Sequence, residues 1–480
     1  MQLGGPKIMG NNGVSHHIVR DDLEGVFRVL EWISYIPSRT GEQVPRLLTA
    51  DDITRKVAYM PSDGEKLNPR MAIEGVVANG QWTSGMFDRG SWLESQSGWA
   101  RTVVTGRARL GGVPCGIIAV EVDTVMLDIP ADPGMPDSSE KTIPQAGQVW
   151  FPDSALKTAH AMEEFDLEGL PLFVMANWRG FSGGQRDLFE GVLQAGSLIV
   201  ENLRSYRHPV FMYIPPGCEL RGGAWVVIDS QINPEQIESY ADTTGKGGVL
   251  EPEGMVEIKF RAKELITTMH RIDPVIKKLT AEHGVDHHLV KERQAKLLPI
   301  YTSIATSFAA MHDTPVRMQA KGVIRSIVPW ADSREFFALR LRRRLAEQAL
   351  CKHVQATDDA VSLADAKAMI RDWFLNSPRK ETDDMAAAIL VENVGARLSD
   401  AEAEAIWEND AEFLRWVEGP TGAARISLEL RSLKQRSASG LIAALTSTTE
   451  GTDGLIQGLQ MAVESNASLR LKLKNLLTTN

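Results

Sequence analysis

Two short stretches hold the residue types that chemistry uses. In ANWRGFSGGQRDLFEG (176–191), an apolar run ends in Arg179, Gly180 and Phe181, and Ser182, Gly183 and Gly184 precede a helical pattern. In YIPPGCELRGGAWVVID (213–229), Arg221, Gly222 and Gly223 hold the matching place after a second apolar run. Glycines let a ligand approach the backbone, and a helix start leaves N–H donors unpaired. An arginine beside such donors suits a carboxylate or an enolate oxygen, through a charge-assisted, bidentate fork. Two such turns, about 40 residues apart and each following a strand, fit a site that holds oxyanions on backbone amides. Each turn also has a plain reading: a tight strand-to-helix connection without ligand, and a surface arginine in a loop. Neither has the spacing of a dinucleotide-binding glycine motif or the GK[ST] ending of a phosphate loop. Cys218, just before Arg221, reads as a small buried residue, because no histidine is placed to activate it.

The elements that must position these turns follow from periodicity. LPLFVMAN (170–177) and PVFMYIP (209–215) read as buried strands. Residues 184–205 read as one helix burying Leu188, Phe189, Val192, Leu193 and Leu203. VVTGRARLGGVPCGIIAVEV reads as a hairpin about its Gly-Gly pair, and FPDSALKTAHAMEEF as a helix capped by Asp153 or Ser154. Strands alternating with helices predict an α/β core. Upstream, DDLEGVFRVLEWISYIP predicts a helix with an apolar face of Leu23, Val26, Phe27, Leu30 and Ile33. From about residue 260 the pattern is mainly helical, and residues 355–480 form an Ala- and Ser-rich helical tail.

Composition narrows the function classes. A chain of 480 residues exceeds one ordinary core, and 43% hydrophobic with 24% charged residues is ordinary for a globular protein. A formal net charge of −10 argues against nucleic acid as the main partner, though not against a local basic pocket for a small anion. Three scattered cysteines without a CxxC argue against a disulfide framework and for a reducing compartment. The N-terminal sequence has no signal-peptide pattern, and no apolar run approaches the ~18 residues of a membrane span. His283 and His287 in HGVDHH stand at i, i+4, but no third ligand follows at fixed spacing, so no metal is expected.

At this point the residues carry a resemblance. ANWRGFSGGQRDLFEGVLQAG, YIPPGCELRGGAWVVIDSQINP and VLEPEGMVEIKFR resemble the carboxyltransferase region of the eukaryotic multidomain acetyl-CoA carboxylases. The stretches QLGG followed by NNGVSH, GRARLGG, IPADP, GQVWFPDSALKTA and HDTPVRMQAKGVI fit the same pattern, which spans roughly residues 2–350 and most resembles the plant or algal single-chain type.

The resemblance implies a crotonase-like fold: two related domains of β-β-α spirals in a homodimer, with the site between the N-domain of one subunit and the C-domain of the other. It places the end of an N-domain at 1–90, a C-domain at 91–350 with a helical insert from about 260, and a helical tail at 351–480. The implied reaction moves a carboxyl group from carboxybiotin to acetyl-CoA, forming malonyl-CoA for fatty acid synthesis. Biotin rides on a carrier domain, and ATP and metal serve a separate biotin carboxylase site. Neither an M-K-M biotinylation motif nor an ATP-grasp loop occurs here, which implies one component of a larger enzyme. By the resemblance, Arg221 holds the carboxylate, Gly222 and Gly223 offer amides to one enolate, and Phe181, Ser182, Gly183 and Gly184 line the other cradle. No catalytic Glu is nominated, since biotin takes the proton in this family; Glu219, Glu251 and Glu253 read as solvated or ion-paired. Trp178 and Trp225 read as core packing rather than as stacking platforms for biotin or adenine. LRLRRRLAEQ (339–348) reads as a solvated helix face, with coenzyme A phosphates or a partner's acidic face as the alternative. The family's N-domain starts upstream of MQLGG, so the expectation is a fragment, in the cytoplasm or, in a plant or alga, the plastid. A non-catalytic chain keeping dimerisation and carrier-docking surfaces, and a carboxyltransferase for another acyl-CoA, are the alternatives.

Overall fold

The computed structural model describes residues 4–62, 64–132, 134–377, 399–446, 449–466 and 470, so Gln2, Leu3 and parts of the tail lie outside the described residues. The chain forms two units, Met1–Ala338 and Leu339–Asn480.

After a single helical turn at Pro6–Met9, the first unit forms α1 (Asp22–Ile33), capped by the Asp21 side chain on the Glu24 N–H. The predicted helix forms, and Leu23, Val26, Phe27, Leu30 and Ile33 of its apolar face are all exposed. A seven-stranded mixed sheet follows. β1 (Leu93–Ser95), β2 (Val103–Leu110) and β3 (Val113–Val120) pair antiparallel. The pairing of Leu110 with Val113 leaves Gly111 and Gly112 as a two-residue turn, with φ of +58° and +82°. Both glycines are needed there, because such a turn requires positive φ at both central positions. A Cβ on Gly112 would also stand 1.8 Å from the Leu47 carbonyl oxygen.

After β4 (Val149–Trp150), helix α2 runs over Pro152–Leu167. Its N-cap is Phe151, not Asp153 or Ser154; the Ser154 hydroxyl, three positions on, accepts the Phe151 N–H at 2.9 Å. The chain then repeats one unit three times: long strand, short strand, helix. The repeats are β5 (Leu172–Met175), β6 (Gly180–Phe181) and α3 (Val192–Ser205); β7 (Val210–Ile214), β8 (Glu219–Arg221) and α4 (Gly222–Val227); and β9 (Ile237–Ala241), β10 (Lys246–Gly248) and α5 (Pro252–Lys259). The long strands extend the sheet in parallel, in the order β9, β7, β5, β3. The short strands leave it to pair elsewhere, β6 with β4 and β8 with β10, also in parallel. This is the crotonase-like β-β-α spiral. The predicted helix over 184–205 is broken: Gln185–Phe189 forms one turn, and Gly191, at φ +88°, redirects the chain into α3. The break explains why Val192 and Leu203 are buried while Leu188, Phe189 and Leu193 are exposed.

The helical insert comprises α6 (Ala262–Ile272), α7 (Pro274–His283) and α8 (His288–Ala310), whose Leu265, Met269, Ile276 and Val290 form a core with Val256 of α5. The chain returns through α9 (Pro315–Ala320) to β11 (Ser326–Ile327), the outer strand beside β9. Below the sheet, Phe173, Phe211, Tyr213 and Tyr240 gather around Phe337, with ring centroids 5.2–5.9 Å from it.

Helix α10 (Ser333–Thr357) carries the chain into the second unit, where it is followed by α11 (Leu363–Leu375), α12 (Asp400–Trp407), α13 (Asp410–Glu418), α14 (Pro420–Thr446) and α15 (Thr449–Ser465). Val354, Ile370, Trp373, Phe374 and Phe413 form its core. The basic run was read as a solvated face; instead Arg343 is 2% exposed, with its guanidinium 3.5 Å from the Phe413 ring centroid and 4.1 Å from that of Trp407. Arg340 pairs with Asp410 at 2.8 Å. These arginines serve packing, where a planar, weakly hydrated cation lies well on aromatic faces.

Candidate active site

The sheet order brings the two glycine turns together. β5 and β7 are parallel neighbours, so the turns at their C-terminal ends fall side by side. One backbone bond joins them directly: Arg221 N–H donates to Trp178 O at 2.8 Å. Asn177 Oδ1 adds a second link, accepting from Gln148 Nε2 at 2.6 Å and from Glu219 N–H at 3.1 Å.

The first turn is built on β6. Ser182 N–H donates to Trp150 O at 2.8 Å, and the Ser182 hydroxyl is hydrogen-bonded to Asp187. Gly184 N–H lies 3.5 Å from the Ser182 hydroxyl. Gly183 is exposed, and a Cβ there would meet nothing within 4 Å. The Phe181 ring fills the space between the turns: a Cβ on Gly196 would stand 2.9 Å from it and a Cβ on Gly223 3.4 Å. Trp178 is fully buried, stacked on Trp150 at 4.1 Å, and Trp150 in turn lies 5.0 Å from Phe181. Trp225 is half-buried and donates its indole N–H to Asp229 at 3.1 Å.

In the second turn, Gly222 has φ +51° and gives its N–H to Val249 O at 3.0 Å. Its amide is therefore engaged. The Gly223 N–H, the next along, has no partner among the described residues.

The two arginines differ in kind. Arg221 is 2% exposed: its Nε donates to Glu219 at 3.0 Å, and its Nη1 donates to Asp313 at 2.6 Å and to Leu250 O at 3.2 Å. Burial opposes its charge, but the bonds it donates to Asp313 and Glu219 outweigh that and hold its pKa above the ordinary value. Arg179 has a side chain 52% exposed, 2.7 Å from Glu219 and 3.6 Å from Glu251. A Cβ on Gly222 would stand 3.6 Å from its carbonyl oxygen. The guanidinium that reaches solvent between the turns is thus Arg179, which sequence reasoning passed over. Its one signal was the Arg-Gly pair of the first turn, repeated as Arg221-Gly222 in the second.

Glu219 and Glu251 are ion-paired, as expected. Cys218 is buried, and burial pushes its thiol pKa far up, with Asp242 and Glu219 adding to the shift. His283 ends α7 and His287 precedes α8, their rings stacked at 4.5 Å. Among the described residues no group of three or more His, Cys, Asp or Glu is placed to hold a metal ion, and no helix is long and apolar enough to cross a membrane.

The structure is that of an α/β protein of repeated β-β-α units with two joined glycine turns. Residues 1–345 match the carboxyl transferase domain, and the chain belongs to that family. It is 52% identical over 448 residues to acetyl-CoA carboxylase 2 of Arabidopsis thaliana, covering 90% of this chain and 18% of that protein. It is 47% identical over 477 residues to acetyl-CoA carboxylase 2 of Oryza sativa subsp. japonica, covering 97% and 19%. With acetyl-CoA carboxylase of Dictyostelium discoideum it shares 48% over 392 residues, covering 78% and 17%. The chain thus spans under a fifth of the length of these relatives. Among solved structures it is similar to transcarboxylase 12S with hydrolysed methylmalonyl-coenzyme A bound, at a TM-score of 0.49 and 18% identity, covering 71% of this chain and 55% of that one.

Proposed function

We propose that this chain contributes the carboxyltransferase step of an acetyl-CoA carboxylase, moving a carboxyl group from carboxybiotin to acetyl-CoA to give malonyl-CoA. The observation that carries the reading is the junction of the two turns, with Arg179 and the unpartnered Gly223 N–H between them, in a chain 52% identical to plant acetyl-CoA carboxylases. The substrate, the biotin carrier domain, the homodimer, the role of residues 1–90 as the end of an N-domain, and a cytosolic or plastid setting belong to the same proposal.

The chemistry follows from the residues. Removing a methyl proton from a thioester leaves an enolate, whose oxygen needs fixed donors. Gly223 N–H is such a donor, and a preorganised donor of this kind lowers the barrier by ~3 kcal/mol. Arg179 holds the carboxylate of malonyl-CoA in the reverse direction, its fork matching a planar carboxylate. Arg221, locked by Glu219 and Asp313, positions the second turn instead of touching substrate. Gly183, open on its Cβ side, leaves room for a second oxyanion against the first turn. Carboxybiotin, when bound, supplies the carboxyl group and then a ureido nitrogen that accepts the proton.

The test is the reverse half-reaction, malonyl-CoA with free biocytin, measuring acetyl-CoA. It is run on this chain and on a polypeptide extended upstream to a full N-domain. Turnover that Arg179→Ala removes supports the reading. Turnover of a different carboxyacyl-CoA alone overturns the substrate, and an inert extended chain overturns catalysis.

A further inference from the structure

A cavity of about 570 Å³ lies beside the second turn, framed by α4, β10, α5, the end of α8 and α9. That volume is typical of sites for small organic ligands. Its wall is mostly apolar, with Trp225, Met255, Phe260, Phe308 and Met318 contributing side chains. Phe308 is 49% exposed at its edge. Three cations, Lys259, Arg317 and Lys321, also line it. All three are exposed, and none pairs with a carboxylate among the described residues. The acid in the wall, Asp313, is held by Arg221 at 2.6 Å. His312 Nδ1 stands 2.9 Å from Phe308 O.

This pairing of surfaces has a chemical meaning. An apolar hollow gains by taking hydrocarbon out of water, and cations without partners at its edge gain by meeting one anionic group. In a chain of net charge −10, three unpaired cations on one apolar cavity are not the general surface. We infer that this cavity binds an amphiphilic anion: an apolar chain ending in a carboxylate or a phosphate. The chain lies against Trp225, Phe260 and Phe308, and the head group meets Lys259, Arg317 and Lys321. The site is distinct from the two turns, which face each other across Phe181, but it shares Trp225 and Asp313 with the elements that hold the second turn.

The experiment is calorimetric titration of the whole chain with dodecanoate, dodecyl phosphate and dodecanol, all below their micellar concentrations. No turnover is involved, so the outcome is independent of the proposed function. The expected result is one saturable site per chain for at least one of the anions, with dodecanol at least tenfold weaker. Whichever anion binds more tightly names the head group. Lys259→Glu with Arg317→Glu and Lys321→Glu, all at exposed positions, weakens anion binding at least tenfold, and Val323→Trp, which fills the cavity, abolishes it. Circular dichroism confirms that both variants fold. The inference is overturned if no probe saturates, if dodecanol binds as tightly as the anions, or if the charge reversal leaves binding unchanged.

Discussion

The two arginines are separated most sharply by a pair of substitutions. Replacing Arg221 with Met removes the partner of Asp313, whose side chain is 5% exposed and 2.6 Å away, and one partner of Glu219, 15% exposed and 3.0 Å away. Glu219 keeps Arg179 at 2.7 Å, so the cost falls on Asp313. Stripping one member from a buried ion pair costs about 3–5 kcal/mol, because the remaining charge stays out of water. Arg221→Met therefore loses about 3–5 kcal/mol in urea unfolding followed by tryptophan fluorescence. Adding Asp313→Asn removes the stranded charge and recovers more than half of that loss. Arg179→Ala breaks a half-exposed pair and costs ~1 kcal/mol or less. In the reverse half-reaction, Arg179→Ala raises KM for malonyl-CoA or abolishes turnover while its unfolding curve stays near that of the parent. A loss below ~1 kcal/mol for Arg221→Met, or a double variant no better than the single one, refutes the structural role of Arg221. A folded Arg221→Met without activity, beside a fully active Arg179→Ala, restores Arg221 as the carboxylate anchor.

Gly183→Ala adds a methyl group that touches nothing within 4 Å, so stability stays within ~0.5 kcal/mol while the half-reaction falls at least tenfold; unchanged activity reduces the first turn to a plain connection. Lys157, in α2, donates to the carbonyls of Gln96, Trp99 and Val103 at 2.8–3.0 Å, and burial pushes its pKa down to about 7. Between pH 7 and 10 the unfolded chain then holds a proton that the folded chain has released, so Lys157 makes stability rise with pH, by at most ~1.4 kcal/mol per unit. Urea unfolding across that range is steeper in pH for the parent than for Lys157→Met, and equal slopes show that the three carbonyls keep the ammonium charged. Cys115, Cys218 and Cys351 carry buried thiols outside any disulfide, so Ellman's reagent finds no thiol in the native chain and three after unfolding; a fast native reaction contradicts the burial of Cys218.

Legibility in the sequence tracked the range of the forces involved. The hairpin about Gly111 and Gly112 was plain, because a two-residue turn writes its demand for positive φ into two adjacent letters. The long strands β5 and β7 were plain for the same local reason, a short apolar run with a turn after it, whereas β9, with Glu238 and Ser239 inside it, gave no such run. The break at Gly191 was hidden, because a left-handed glycine inside a helical pattern looks like any other glycine. The difference between Arg179 and Arg221 was illegible: it depends on Asp313, 92 residues beyond Arg221 and on the far side of the helical insert. The basic run of α10 misled for a related reason, since Trp407 and Phe413, which cover Arg343, lie more than 60 residues on. Nothing in the period of α1 told whether its apolar face would find a cover.

The hydrogen bond from Arg221 N–H to Trp178 O has a consequence for how the chain acquires a site at all. No single loop contains the pocket. It appears only when two parallel strands from separate repeats have reached register, and parallel pairing is among the slowest events in folding, because a long crossover must close first. A nascent chain released with β5 formed and β7 unpaired would hold every residue of the first turn yet lack the second wall. Under the proposed function, competence is thus a late, all-or-none property, and a limited-proteolysis time course of refolding should show protection of 176–229 and recovery of turnover arriving together.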